Sequence, residues 1–218
     1  MKRALLLTLA LLGSISAATA QDAAGNAQDG ARRVAMCIGC HGIPGYQASF
    51  PEIHKVPMIS GQGEKYLAAA LQAYKKGERR HPTMRAIAAS LNDKDIADLS
   101  AYYADHGAAN PEVPDTAAPA PAKVAELLAK GACVSCHGEN FNKPVDGSYP
   151  KIAGQHADYL AASLRAYRTT GNANVGRANP IMAGMVQQFS NAELKAMAEY
   201  LASLPGDLRT VPQPRFRR

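Results

Sequence analysis

Cys37-Ile38-Gly39-Cys40-His41 places two thiols three residues apart and a histidine directly after the second. The pattern returns at Cys133-Val134-Ser135-Cys136-His137, glycine follows each copy (Gly42, Gly138), and the two copies use all four cysteines of the 218-residue chain. Covalent haem attachment needs this spacing: the two sulfurs add across the vinyl groups of one porphyrin, and the adjoining imidazole lies beneath the iron as proximal ligand. A thioredoxin-like redox pair, half of a zinc site and a structural disulfide compete with that reading. The immediate histidine counts against all three. A zinc ribbon also brings its two C-x-x-C pairs within about 15–20 residues, whereas 92 residues separate Cys40 from Cys133.

The chain opens with basic Met1-Lys2-Arg3, an apolar run from Ala4 to Leu12 and the small-residue pattern Ala18-Thr19-Ala20. This reads as a signal peptide over residues 1–20, cleaved near Ala20-Gln21. The run is far short of the ~20 residues that span a bilayer, so a membrane anchor is the weaker reading. No later segment is long and apolar enough to span, and a surface association with a membrane stays open. A product exported to the periplasm suits covalent haem, which c-type cytochromes acquire after translocation.

The formal charge of +6 includes Lys2 and Arg3; without them 22 basic residues stand against 18 acidic ones, and the carboxylates of two haems would bring the balance near zero. A continuous basic stripe for nucleic acid is missing, so no nucleic-acid partner is expected. The charge is uneven, with 10 basic and 11 acidic residues over 21–119 against 12 and 7 from Ala120 onward. Arg209, Arg215, Arg217 and Arg218 make residues 207–218 a basic tail, read as exposed and solvated.

The chain repeats itself. Cys37 maps to Cys133 at an offset of 96, Pro57-Met58-Ile59-Ser60-Gly61-Gln62 to Pro150-Lys151-Ile152-Ala153-Gly154-Gln155 at 93, and Pro82-Thr83-Met84 to Pro180-Ile181-Met182 at 98. The second copy is thus three residues shorter before the proline and five longer around Gly171 to Gly176. Two domains follow, over 21–106 and 122–206, with a Pro/Ala-rich linker at 107–121.

Periodicity within each copy is helical and strand signals are weak. Tyr66, Leu67, Ala70, Leu71 and Tyr74 share one face before Gly77, as do Tyr159, Leu160, Ser163, Leu164 and Tyr167 before Gly171. Asn92, with Asp95, and Ser190, with Glu193, cap the last helix of each copy, whose apolar stripes (Ile96, Leu99, Tyr103; Leu194, Met197, Leu201, Leu204) read as core. With a short helix before each C-x-x-C-H, this predicts an all-α fold of two tandem domains, about three helices each, wrapped around a haem. Each copy has under 100 residues, so the apolar porphyrin supplies interior that side chains alone cannot.

A sixth ligand is sought among seven methionines, because a thioether opposite histidine raises the potential of an electron-transfer haem. Met58 corresponds to Lys151 and is set aside. Met84 and Met182 correspond to each other, each two residues after a proline and expected in a loop before the last helix. His81, the rival at the first iron, corresponds to Asn179 and reads as a solvated loop histidine. His54, His106 and His156 lack histidine counterparts.

Together the two C-x-x-C-H-G stretches, the two Pro-x-Ile-x-Gly-Gln-like stretches, Met84, Met182 and Leu91-Asn92-Asp93-Lys94-Asp95-Ile96-Ala97-Asp98-Leu99 with Tyr102-Tyr103 make the chain resemble the dihaem cytochrome c4 family over nearly all of the part after the leader. The resemblance implies two class I cytochrome c domains and a periplasmic shuttle from quinol-oxidising complexes to a terminal oxidase. Two stretches depart from the pattern: Glu52-Ile53-His54-Lys55-Val56 lengthens the loop before Pro57 at one haem rim, and Glu126 stands where the first copy has Gly30.

The site set is therefore Cys37, Cys40, Cys133 and Cys136 as attachment points for two haem c groups, with His41 and Met84 on the first iron and His137 and Met182 on the second. A carrier is expected rather than an enzyme, with redox proteins including a terminal oxidase as partners and no small-molecule substrate. The alternatives are a cytochrome subunit of a periplasmic dehydrogenase and a dihaem peroxidase; the second needs an iron open to peroxide, which paired methionines would close. Acid extraction of the denatured protein should leave the pigment on the polypeptide, and the intact mass should exceed the processed chain by two haems. Release of free haem would refute covalent attachment.

Overall fold

The computed structural model describes residues 24–107 and 113–212. The leader with its cleavage point, part of the proline-rich connection, and Arg215, Arg217 and Arg218 lie outside the described residues. In the first half the chain forms α1 (Ala27–Ala31), α2 (Ala35–His41), β1 (Gln47–Ala48), β2 (His54–Lys55), α3 (Glu64–Lys76), β3 (Arg79–Arg80), α4 (Pro82–Ala89) and α5 (Asp93–Asp105). The second half has α6 (Ala122–Lys130), α7 (Val134–His137), α8 (Ala157–Ala166), β4 (Gly176–Arg177), α9 (Pro180–Val186) and α10 (Asn191–Ser203). The helix-dominated fold is as expected, and among the described residues each half has five helical segments where about three were expected. The extra ones hold the C-x-x-C-H residues (α2, α7) and the paired methionines (α4, α9).

Local sequence fixes the helix ends. Gly77, at φ +80°, closes α3 in the left-handed conformation that glycine adopts without steric cost. Both last helices open with complete capping boxes, Asn92 with Asp95 and Ser190 with Glu193. Each such cap contributes about 1 kcal/mol. Gly171 lies beyond the end of α8, which stops at Tyr167.

The cores sit where the stripes pointed. Val34, Leu67, Leu91, Ile96, Leu99 and Tyr103 cluster in the first half. Leu127, Leu160, Leu194, Met197 and Leu201 belong to a larger cluster in the second, where residues Ala117 and Ala120 of the connection also pack. The two N-terminal helices meet their last helices differently. A Cβ on Gly30 would fall 2.2 Å from the Asp98 carbonyl oxygen, so α1 lies backbone to backbone on α5. At the equivalent position Glu126 is 69% exposed, and α6 instead turns Val124, Leu127 and Leu128 inward.

The halves are joined by reciprocal contacts. Buried Gln62 accepts from Lys151 N (2.9 Å) and donates to Lys151 O (2.9 Å). Buried Gln155, its repeat equivalent, accepts from Met58 N (3.1 Å) and donates to Met58 O (2.9 Å). Met58 and Lys151 are equivalents too, so each copy's Pro-x-Ile-x-Gly-Gln stretch reads the backbone of the other. The two stretches that differ between the copies also reach across. Lys55 N donates to Asp158 Oδ2 at 2.9 Å and Glu52 pairs with Arg165 at 3.6 Å. From the other side β4 pairs antiparallel with β3. Gly176 lies there at φ +157°, a backbone conformation that L side chains rarely adopt.

The stretch after α10 is not the free tail the sequence suggested. Leu208 is buried, Arg209 N donates to Ser60 O at 3.0 Å, and Asp207 pairs with Lys151 at 2.6 Å. The chain thus returns from the second half onto the first. Replacing Gln62 or Gln155 by alanine strands a buried backbone N–H and C=O, so each change should lower the unfolding free energy by about 1–3 kcal/mol. Denaturant unfolding at matched haem content measures this, and the reciprocal geometry makes the two losses similar.

Candidate haem-binding sites

Each C-x-x-C-H stretch is helical, which places its histidine at the end of a short helix. His41 Nδ1 lies 2.8 Å from Pro57 O, and His137 Nδ1 lies 2.9 Å from Pro150 O. A carbonyl oxygen only accepts, so the proton is on Nδ1 and the Nε2 lone pair is left for a metal. Burial pushes both imidazoles below their ordinary pKa, and the proline carbonyls oppose this without overcoming it. Both rings are therefore neutral near pH 7, the form that coordinates iron. Pro57 and Pro150 are repeat equivalents, so the same residue pair orients the same ring in each half.

All four cysteines are free and half-buried. Burial pushes the Cys37 and Cys133 thiols up, outweighing local hydrogen bonding. Redox-active cysteines show the reverse, a depressed pKa. Among the described residues no group of three or more His, Cys, Asp or Glu side chains is placed to hold a metal ion. The zinc reading therefore loses its remaining ligands.

The surroundings fit a large apolar group. Among the described residues the large hydrophobic side chains left exposed are Met36, Ile43, Tyr46, Phe50, Ile53, Val145, Ile181 and Met185. Every one lies next to a cysteine, between a histidine and its proline partner, or in the methionine helix. In a protein that packs its other apolar residues, such confinement marks faces built to meet something apolar. Buried Tyr103 belongs to the cluster that Cys37 packs against, and its hydroxyl meets the Cys37 thiol.

Met84 and Met182 are not in loops. Each is the third residue of a short helix whose first residue is proline: His81 Nδ1 accepts from Met84 N at 3.4 Å and Asn179 Oδ1 accepts from Met182 N at 3.0 Å. His81 is therefore a cap rather than a solvated loop residue. The signal was present, since histidine at 81 and asparagine at 179 both precede proline at the position where a cap is needed. Met182 packs on the second core, while Met185 is 41% exposed. His54, read as lying in a loop at the haem rim, is buried against the second half, its ring edge-on to Tyr159 at 5.7 Å. The sequence reading also missed the interface roles of Gln62 and Gln155, although their matched positions were visible.

The Cytochrome c family model matches this chain twice, over residues 27–105 and 121–205. Cytochrome c4 of Azotobacter vinelandii is 32% identical in an alignment covering 92% of this chain and 96% of that protein. A thiosulfate dehydrogenase electron acceptor of Stutzerimonas stutzeri is 33% identical, covering 89% and 91%. The crystal structure of reduced recombinant cytochrome c4 from Pseudomonas stutzeri superposes with a TM-score of 0.61 at 30% identity, over 83% of this chain and all of that one.

Met182→Ala should remove half of the sulfur-to-iron charge-transfer absorption of the oxidised protein, open one haem to added ligands and lower its potential. Met185→Leu should leave that band nearly whole. The opposite pattern would pass the ligand role to Met185, one helical turn on.

Proposed function

The chain belongs to the cytochrome c family, in its dihaem cytochrome c4 branch, and on that premise we propose a periplasmic carrier that moves single electrons from a quinol-oxidising complex to a terminal oxidase. Membership of this electron-transfer family brings two covalently bound haem c groups. In the proposed assignment Cys37 and Cys40 tether the first and Cys133 and Cys136 the second, with His41 and Met84, then His137 and Met182, as axial ligands. Each haem, when bound, supplies a one-electron iron couple. The chain's own residues hold the imidazoles neutral and oriented, offer a thioether that favours the reduced metal, and surround the site with apolar side chains.

The observation that carries the carrier reading is the repeat equivalence of the ligand sets. The same histidine–proline bond and the same capped methionine helix recur in both halves, which disfavours a peroxidase with one iron held open. The leader supports a periplasmic location, and no helix among the described residues is long and apolar enough to cross a membrane. A second reading keeps the carrier chemistry and changes the donor: the relative named as a thiosulfate dehydrogenase electron acceptor favours a dehydrogenase partner. Purification from the host separates the two, because a stable stoichiometric flavin or metal subunit would select the dehydrogenase. Rapid binding of carbon monoxide or cyanide by the native protein would overturn the carrier reading altogether.

Docking should depend on salt. The halves differ in sign of charge, with 10 basic and 11 acidic residues over 21–119 and 12 and 7 beyond, and exposed charges are screened past about 8 Å at physiological ionic strength. Electron-transfer rates with the partner oxidase should fall as salt rises, by stopped-flow measurement. A flat dependence would assign docking to the apolar side chains instead.

A further inference from the structure

Arg165, in the last turn of α8, and Arg168, just past its end, stand three residues apart and so share one face; Arg168 N donates to Arg165 O at 2.9 Å, which carries the helical turn on. Both line an open groove of about 410 Å³ between Glu52 of the first half and Thr169, Val175 and Gln187 of the second. Glu52 belongs to the stretch that lengthens the first copy's loop, and Val175 to the one that lengthens the second's. The repeat therefore supplies no second copy of this groove.

The first half shows what the equivalent positions need for folding alone. At offset 93 Arg165 stands for Gln72 and Arg168 for Lys75; at offset 98 Phe189 stands for Leu91 and Asn191 for Asp93. Lys75 donates to Leu91 O at 2.7 Å and pairs with Asp93 at 3.7 Å, and Gln72 donates to Asp93 Oδ1 at 2.9 Å. In the second half Arg168 keeps the bond to the carbonyl, now Phe189 O, and meets Asn191 Oδ1 in place of the carboxylate. The structural join is preserved while its built-in anion is gone. Lys76 also gives way to Thr169, so the second half gains geometry more than bulk charge: two planar guanidinium forks, each able to hold a carboxylate by two parallel bonds. Among the described residues Arg168 forms no ion pair with a carboxylate. Arg165 has Glu52, at 3.6 Å with both side chains about a third exposed, and exposed pairs of this kind hold weakly.

We propose that this groove is a docking site for an acidic segment of the redox partner protein, whose carboxylates take the place that Asp93 holds in the first half. The inference rests on the carrier reading and names where on the second half the partner lands. A lone oxyanion would leave most of the groove to water, whereas an extended segment fills it and touches both halves. Gln187 caps the end of the methionine helix α9, and Glu52 stands five residues before Pro57. A partner seated here thus lies against stretches that lead to both candidate irons. Glu52 competes for Arg165, so a partner must bring more negative charge than one half-exposed carboxylate, and partners of low charge are passed over.

Two substitutions that import the first half's residues test this in the holoprotein, Arg165→Gln and Asn191→Asp. Oxidation of the pre-reduced protein by host membranes carrying the terminal oxidase, at low ionic strength, should slow by about three- to tenfold for each, and its salt dependence should flatten. Arg165→Lys should keep most of the rate, and Asp93→Asn in the first half should leave it unchanged. Both reduction potentials and the charge-transfer band should stay as they were. Unaltered rates, or slower rates with shifted potentials, would overturn the proposal. A synthetic peptide of alternating glutamate and leucine, titrated into 15N-labelled holoprotein, reads the groove without turnover and without any substitution. Amide shifts should centre on Thr169, Val175 and Asn191, and the glutamine analogue of the peptide should produce none; shifts elsewhere, or equal shifts from the analogue, would refute the site. Inorganic phosphate should act through ionic strength only, and saturable phosphate shifts at these amides would assign the groove to a free oxyanion and overturn the proposal. Failure of the carrier reading would appear differently, as unsubstituted protein that the membranes do not oxidise, and the peptide titration would then still decide the groove.

Discussion

One hydrogen bond, from a histidine Nδ1–H to a proline carbonyl, constrains both halves: His41 to Pro57 at 2.8 Å and His137 to Pro150 at 2.9 Å. It fixes the tautomer, aims Nε2 away from the backbone, and requires the proline stretch to return beneath the C-x-x-C-H helix. Ile59 and Ile152 then meet the cores, and Gln62 and Gln155 are carried to the interface. Ligand geometry and domain pairing therefore draw on one short stretch of chain. That stretch tolerates change at its second and fourth positions, Met58 against Lys151 and Ser60 against Ala153, because the contacts across the interface at Met58 and Lys151 are made to backbone atoms.

Candidate site residues could be named from the sequence because the C-x-x-C-H spacing is local and the repeat supplied a second reading of every position. The same comparison picked Met84 and Met182 from seven methionines and discarded Met58. The short helices around those methionines were not legible. Seven or eight residues carry too little periodicity to stand out, and only the proline after His81 and Asn179 marks their start. The extra helices at Cys37 and Cys133 escaped for the same reason.

Where the sequence reading failed, long-range pairing was at work. Asp207 to Thr210 looked like a solvated end because composition reports charge rather than partner, yet Leu208 is buried and Arg209 joins Ser60. Glu52 to Val56 looked like a variation at one haem rim. It also contacts the other half, through Asp158 and Arg165, and no local pattern could announce a partner about a hundred residues away.

Symmetry and asymmetry divide the interface between them. Glutamine pairs with backbone and arginine faces arginine, each residue meeting its own equivalent's stretch, as association of two like domains about a two-fold axis dictates. The unpaired features lie around those contacts: a β2 segment present in one copy, a β4 loop lengthened in the other, and a C-terminal strap with no counterpart. Symmetric contacts alone would serve two separate chains equally well. The asymmetric ones exist only because one domain follows the other in a single chain, and they remove the freedom of the halves to slide. The cores are unequal as well, since Tyr103 places a phenol beside Cys37 in the first while its equivalent, Leu201, places only hydrocarbon in the second. Two candidate haem sites related by the repeat thus sit in unequal surroundings, which is the physical condition for two distinct potentials.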